Sequence, residues 1–356
     1  MKTFRGIVML LAVCSFVLWS CDDEDNQPAG EFENGVFVIN EGNFQDADGS
    51  ISFINPDDGS VKHDLFGSVN NGLALGDVVQ SMTIEGDLSY VVVNNSYKIE
   101  VVNASSFVSE YTIQGLSLPR YFVTLDGKGY VTEWVNYTDP GRVKVIDLES
   151  HTAVDSITTD YGAENILAYD GLLYVSNNFS NTVSVIDPAE GKVIKTIEVG
   201  SGPGTLLLDS DEMIWVICAG GYDIEFNPLN DGKLVRLDPE RSGDESAVSV
   251  VLAIELGANL TPKAAINKAM DRIFYYNGNS VYNLSISSHA APASPLFTET
   301  NATGFYGIGI DPRNDLLYLA DAKNFAGNGT VYRYTLSGEP VDNKVAGRGP
   351  NGFVFK

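Results

Sequence analysis

From Gly35 onward the apolar residues fall in short runs, unbroken or alternating with polar ones, and Asp-Gly, Glu-Gly and Asn-rich turns separate the runs. No helical period is sustained, so the pattern predicts strands throughout. Residues 163 to 202, "AENILAYDGLLYVSNNFSNTVSVIDPAEGKVIKTIEVGSG", parse as four such strands in succession. The phrase returns as "GDLSYVVVNNSYKIEVVNASSFVSEYTI" from Gly86, "GKGYVTEWVNYTDPGRVKVIDLESHTAVDSIT" from Gly127 and "DEMIWVICAGGYDIEFNPLNDGKLVRLD" from Asp211. Degenerate copies follow at "DRIFYYNGNSVYNLSIS" and "NDLLYLADAKNFAGNGTVYRYTLSG".

The aromatic of the second strand serves as a ruler. Tyr90, Tyr130, Tyr174, Trp215, Phe274 and Tyr318 lie about 40 to 45 residues apart, save one longer gap that holds an insertion. That period with four strands per unit predicts an all-β fold, a β-propeller. Counting from "GVFVINEGNF" at Gly35 gives seven units, and the first lacks the strand that precedes the ruler strand elsewhere. "GPNGFVFK", residues 349 to 356, has the look of that strand and no unit of its own to begin. The expectation is a seven-bladed propeller over residues 35–356, with four antiparallel strands per blade and the first blade closed by the C-terminal strand, which removes an exposed edge.

The first 34 residues read differently. Lys2 and Arg5 precede an apolar stretch from Gly6 to Trp19, shorter than the roughly 20 residues of a spanning helix, so residues 1–20 are expected to be a signal peptide. Cys21 follows, then Asp22, Asp23, Glu24 and Asp25, and residues 21–34 form a polar, acidic linker. Cys14 leaves with the leader and Cys218 stands alone in "MIWVICAGG", so no intramolecular disulfide framework exists unless Cys21 stays free. Cys218 is expected to be a buried small hydrophobe rather than a nucleophile. The formal charge is −25. Nucleic acid and anionic membrane surfaces are therefore poor partners.

In a propeller the strands run a, b, c, d from the axis outward, so the b–c and d–a loops share one face. Long b–c loops are expected at 40–49, 133–141, 219–232 and 321–329. They carry aromatics beside amides: Asn43 and Phe44; Trp134, Asn136 and Tyr137; Tyr222, Phe226 and Asn227; Asn324 and Phe325. Short loops repeat the theme in Asn95 and Tyr97, Asn178 and Phe179, Tyr276 and Asn277. Aromatic faces with amide groups suit a large neutral ligand with a polar periphery; the plainer reading is Asn in left-handed turns and aromatics packing between blades. Aligned inner-strand starts place Gln80, Arg120, Glu164, Gly204, Lys263, Tyr306 and Asn351 in a ring at the axial mouth. Arg120 and Lys263 suit a phosphate or carboxylate, or a salt-bridged collar with Glu164. His63, His151 and His289 are too scattered for a histidine metal site or a nucleophile–base pair. "DADGS" at 46–50 and "DSDE" at 209–212 hint at calcium or are simply turns.

Leu18, Trp19, Ser20 and Cys21 resemble the lipobox of bacterial lipoproteins, which implies lipidation of Cys21 and a membrane tether through that lipid alone. The acidic cluster after it resembles the surface-export signal of Bacteroidetes lipoproteins, implying an outer-membrane protein that faces the cell exterior. "VSVIDPAEGKVIKTIEVGSGP" and "VKVIDLESHTAVDSI" resemble the propeller repeats of the YVTN or YncE type. "GVFVINEGNF" with "YVVVNNSYKIEVVN" is similar to the surface lipoproteins built on that repeat, among them the BtuG-type cobalamin-capturing proteins. That resemblance implies no enzyme and no cofactor, a corrinoid ligand (cobalamin, vitamin B12) and a TonB-dependent outer-membrane transporter as partner. A glycan-binding or adhesive propeller is the alternative. A propeller hydrolase or lactonase would need clustered acids at the axial channel, where the ring supplies only Glu164.

Overall fold

Residues rich in Val, Ile and aromatics become strands as the pattern requires, and their order fixes the architecture. The computed structural model describes residues 30–223, 225, 227–239, 249–258 and 260–356. Residues 1–20, expected to be a signal peptide, lie outside the described residues, as do Cys21, the acidic residues after it and Phe226. Among the described residues there are seven four-stranded antiparallel sheets, each a blade. Their second strands are Val36–Asn40, Leu88–Val93, Lys128–Glu133, Leu172–Asn177, Ile214–Cys218, Arg272–Asn277 and Leu316–Asp321. These are buried on both faces, which is why they read as continuous apolar runs rather than alternating ones.

The first strands are Pro350–Phe355, Val79–Glu85, Pro119–Leu125, Ala163–Tyr169, Pro203–Leu208, Ala264–Ile266 and Phe305–Asp311. Each touches its counterparts in the blades before and after, so they close a ring around the axis. Closure comes from the C-terminus as expected. Pro350–Phe355 pairs antiparallel with Val36–Asn40, with Val36 opposite Phe355 and Val38 opposite Phe353, and the backbones of Gly35 and Lys356 exchange two hydrogen bonds of 3.0 Å.

The core is divided among the blade interfaces. Seven apolar clusters are found among the described residues, one between each pair of neighbouring blades. The ruler aromatics are their anchors: Tyr90, Tyr130, Tyr174, Trp215, Phe274 and Tyr318 are all buried. Tyr90 stacks on Phe122 of the next blade at 4.5 Å, and Tyr318 meets Phe353 and Phe355 at 5.5 and 5.3 Å across the closure. Cys218 is buried and free, and burial pushes its thiol up to about 12, consistent with a packing role.

Two elements were not expected. The outer strand of the first blade is only Val61–Lys62, and a five-residue helix, Leu65–Val69, packs Leu65 and Phe66 into the adjacent core. The long b–c loop of the fifth blade folds as a hairpin, Gly221–Tyr222 paired with Pro228–Asn230. His63 follows the outer strand of the first blade, and His151 stacks on Tyr111 at 3.9 Å.

Candidate functional site

The ring at the axial mouth forms because the inner strands are bulged there. Gln80, Tyr306 and Asn351 are skipped in the pairing of their strands with the second strands. The register also slips over Arg120 and Tyr121, Glu164 and Asn165, and Gly204 and Thr205. A bulge leaves a residue outside the ladder and re-aims its side chain, here toward the axis. Lys263 immediately precedes its strand.

These residues join one another across blades. The Arg120 guanidinium donates to both Glu164 carboxylate oxygens at 2.8 Å and to Gln80 Oε1 at 2.6 Å, and it lies 4.1 Å over the Trp134 ring. The pair is largely removed from water, with side-chain exposures of 13% and 12%. Burial works against the charge on Arg120, but Glu164 outweighs it and holds the guanidinium above its ordinary pKa. Lys263 Nζ donates to the backbone carbonyls of Tyr306 and Asn351, both at 2.9 Å, and sits 4.6 Å from the Tyr306 ring centroid. Burial pulls its pKa down to about 8, against the pull of Glu41 and Glu164. The collar reading therefore holds for Arg120, whereas Lys263 is held by carbonyl oxygens. At Gly204 the collar is thin, because a Cβ there would meet the Pro262 carbonyl oxygen at 2.3 Å. A cavity of about 200 Å³ along the channel is lined by Gln80, Lys263 and Asn351 of the collar together with Met82, Thr83 and Phe353.

Above Arg120 and Tyr306 a basin of about 340 Å³ is lined by Phe44, Trp134, Tyr137, Phe325 and Asn43, with Glu41 at its floor. Glu41 was not singled out from the sequence, although it stands at the start of the quoted loop. Burial, with the Glu41 carboxylate beside it, holds the Tyr306 hydroxyl well above the ordinary phenol value. Glu41 Oε2 and Trp134 Nε1 have no hydrogen-bond partner within the protein. On one rim Trp134, Tyr137 and Phe179 form a cluster with ring centroids 4.9 to 6.1 Å apart. Tyr137, Phe44 and Phe179 are 73%, 63% and 43% exposed. Val78, in the wall of the basin, and Val135, next in sequence to Trp134, have φ of 59° and 66°, a strained region for β-branched residues.

Three of the expected amides, Asn43, Asn136 and Asn178, hydrogen-bond within the protein. Asn136 is a turn former: its Oδ1 accepts from the Thr138 and Asp139 N–H groups at 2.7 Å and its Nδ2 donates to Asp139. Asn43 donates to Asp46 at 2.8 Å, and Asn178 donates to the Pro203 carbonyl at 3.1 Å while lining a second, larger groove. Asn324 occupies an exposed left-handed turn, φ 54°, whose neighbour Phe325 packs on Tyr306 at 5.3 Å. Tyr276 corrects the expectation: it is fully buried, with its ring against Phe305, because strand position rather than loop position decides its direction. Tyr222 lies in the hairpin backbone. The two acidic motifs are occupied by arginines: Arg348 bridges Asp46 and Asp48, and Arg236 bridges Asp209 and Asp211.

A family model described as a domain of unknown function, DUF5074, matches residues 34–347. No curated protein matches the sequence. Solved structures resemble its fold at low identity. A quinonprotein alcohol dehydrogenase-like protein from Bacteroides thetaiotaomicron is 14% identical at a TM-score of 0.68, covering 91% of this chain and 78% of that one. A putative 6-phosphogluconolactonase from Bacteroides fragilis is 11% identical at 0.66, covering 91% and 98%. A periplasmic gluconolactonase from Pseudomonas aeruginosa is 13% identical at 0.65, covering 90% and 98%. These likenesses speak to the fold alone.

Proposed function

The chain belongs to the DUF5074 family, and from that premise we propose that it is a ligand-capture protein that binds on its loop-rich face and catalyses nothing. The reading rests on one observation above the rest: a basin at the axial mouth lined by four aromatic side chains, Phe44, Trp134, Tyr137 and Phe325, together with the polar groups of Asn43, Asn94 and Arg120. A ligand with apolar faces and an amide- or hydroxyl-bearing edge suits such a lining. The strained Val78 and Val135 backbones are supporting signs, since such conformations gather at ligand clamps.

Within that reading the ligand is cobalamin or a related corrinoid, as the resemblance of the repeats implies. The protein hands it to a TonB-dependent transporter while tethered to the outer membrane through a lipid on Cys21. The same aromatic cluster would also stack on a sugar ring, the second reading. A lactonase needs free acids at the mouth. Here Glu164 is engaged by Arg120, and Glu41 lies beside Tyr306.

Incubation of the purified chain with cyanocobalamin, followed by desalting, is expected to leave coloured protein. A colourless fraction with no heat signal up to micromolar ligand would sink the corrinoid assignment.

A further inference from the structure

On the same face, beyond the aromatic rim, a groove of about 770 Å³ runs across the fourth, fifth and sixth blades. Its size falls within the roughly 300–1,000 Å³ of small-molecule sites. Among the described residues, none that line it carries a charge, in a chain of which 19% is charged. Its polar groups are amides, hydroxyls and glycine backbone: Asn178, Asn181, Asn230, Ser201, Thr261 and the turn at Gly220. Its apolar surfaces are Phe179 and Leu229, 43% and 67% exposed, with Pro262 opposite.

The walls are preformed. Asn230 accepts from the Gly221 N–H at 2.8 Å and donates to Ser201 at 3.3 Å, tying the fifth-blade hairpin to the preceding d–a loop. Gly220, at φ 94°, could not carry a side chain, because a Cβ would meet the Asn230 carbonyl oxygen at 2.6 Å. The hairpin thus exists at the cost of a left-handed glycine, and what it builds is the outer wall of this groove.

We propose that the groove is a second binding site, specific for an uncharged, hydroxyl-rich ligand of the neutral oligosaccharide class. Amide and hydroxyl groups exchange donors and acceptors with sugar hydroxyls without the desolvation cost of a buried charge. Phe179 and Leu229 receive the apolar faces of pyranose rings. The site is separate from the corrinoid assignment and stands if that fails.

The test is a titration of the purified chain, at matched salt, with maltoheptaose, cellohexaose and mannohexaose as neutral probes, and with oligogalacturonate and chitosan oligomers as charged ones. At least one neutral probe is expected to bind and both charged ones to fail. Leu229→Ala and Asn181→Ala alter exposed side chains, so the fold is expected to persist, with an unchanged melting curve as the control. Each is expected to weaken the neutral probe by roughly tenfold, a loss of about 1.4 kcal/mol. Val154→Ala, at an exposed position on the outer strand Thr152–Thr158 of the third blade, is expected to leave that affinity unchanged. Failure of all three neutral probes, preference for a charged one, or affinity indifferent to Leu229→Ala and Asn181→Ala would overturn the proposal.

Discussion

Lys263 brings an ammonium into the mouth of the channel, where burial lowers its pKa to about 8 from the model-compound value of 10.5. The folded chain holds this proton less tightly than the unfolded one. The residue's contribution to stability is therefore least favourable below pH 8, improves as pH climbs through about 8, and levels off near 10.5. Lys263→Met removes that dependence. Urea unfolding at a series of pH values is expected to show the unmodified chain gaining on the variant between pH 8 and 10; a constant difference would contradict the burial. Arg120 and Glu164 make the opposite case, a mostly buried pair in good geometry. Glu164→Ala strands the guanidinium, and the expected loss is about 3 kcal/mol in urea unfolding. A loss below about 0.5 kcal/mol would show that channel water screens the pair as it screens surface bridges. The membership of this ring was legible, because the inner strands begin alike in each repeat. Its partnerships were not, since they depend on bulges and on which blades the axis brings face to face. Glu41 went unnoticed for the same reason: nothing in "NEGNF" announces that the loop folds back over Tyr306.

At the scale of elements, the strands were legible where burial on both faces made them uniformly apolar and placed an aromatic at a fixed step. The helix Leu65–Val69 is too short to show a period. The hairpin at Gly221–Asn230 hid inside a polar loop because its strands are only two and three residues long and the second, Pro228–Asn230, is exposed throughout. The C-terminal strand was recognisable by elimination, and its pairing with Val36–Asn40 is the element on which ring closure depends. Removing residues 349–356 would leave that second strand with an open edge and would strip Phe353 and Phe355 from Tyr318. The truncated chain is expected to lose its cooperative thermal transition or to associate on size exclusion. A monomer with an unchanged melt would mean that closure contributes little.

The whole molecule is a ring of alike interfaces with unlike faces. Seven similar apolar clusters hold the blades, while the long b–c loops gather on one face and build there both the basin over the axis and the neutral groove beside it. Repetition explains why the fold could be read and the ligand could not: the repeat encodes packing, whereas the loops that break it encode recognition. The most direct test of capture at the basin is calorimetric titration of cyanocobalamin into the unmodified chain and into the Trp134→Ala and Tyr137→Ala variants. The account predicts a saturable signal that each variant weakens by roughly tenfold or more, as aromatic anchors do at a binding site. Binding that is indifferent to both substitutions would contradict it.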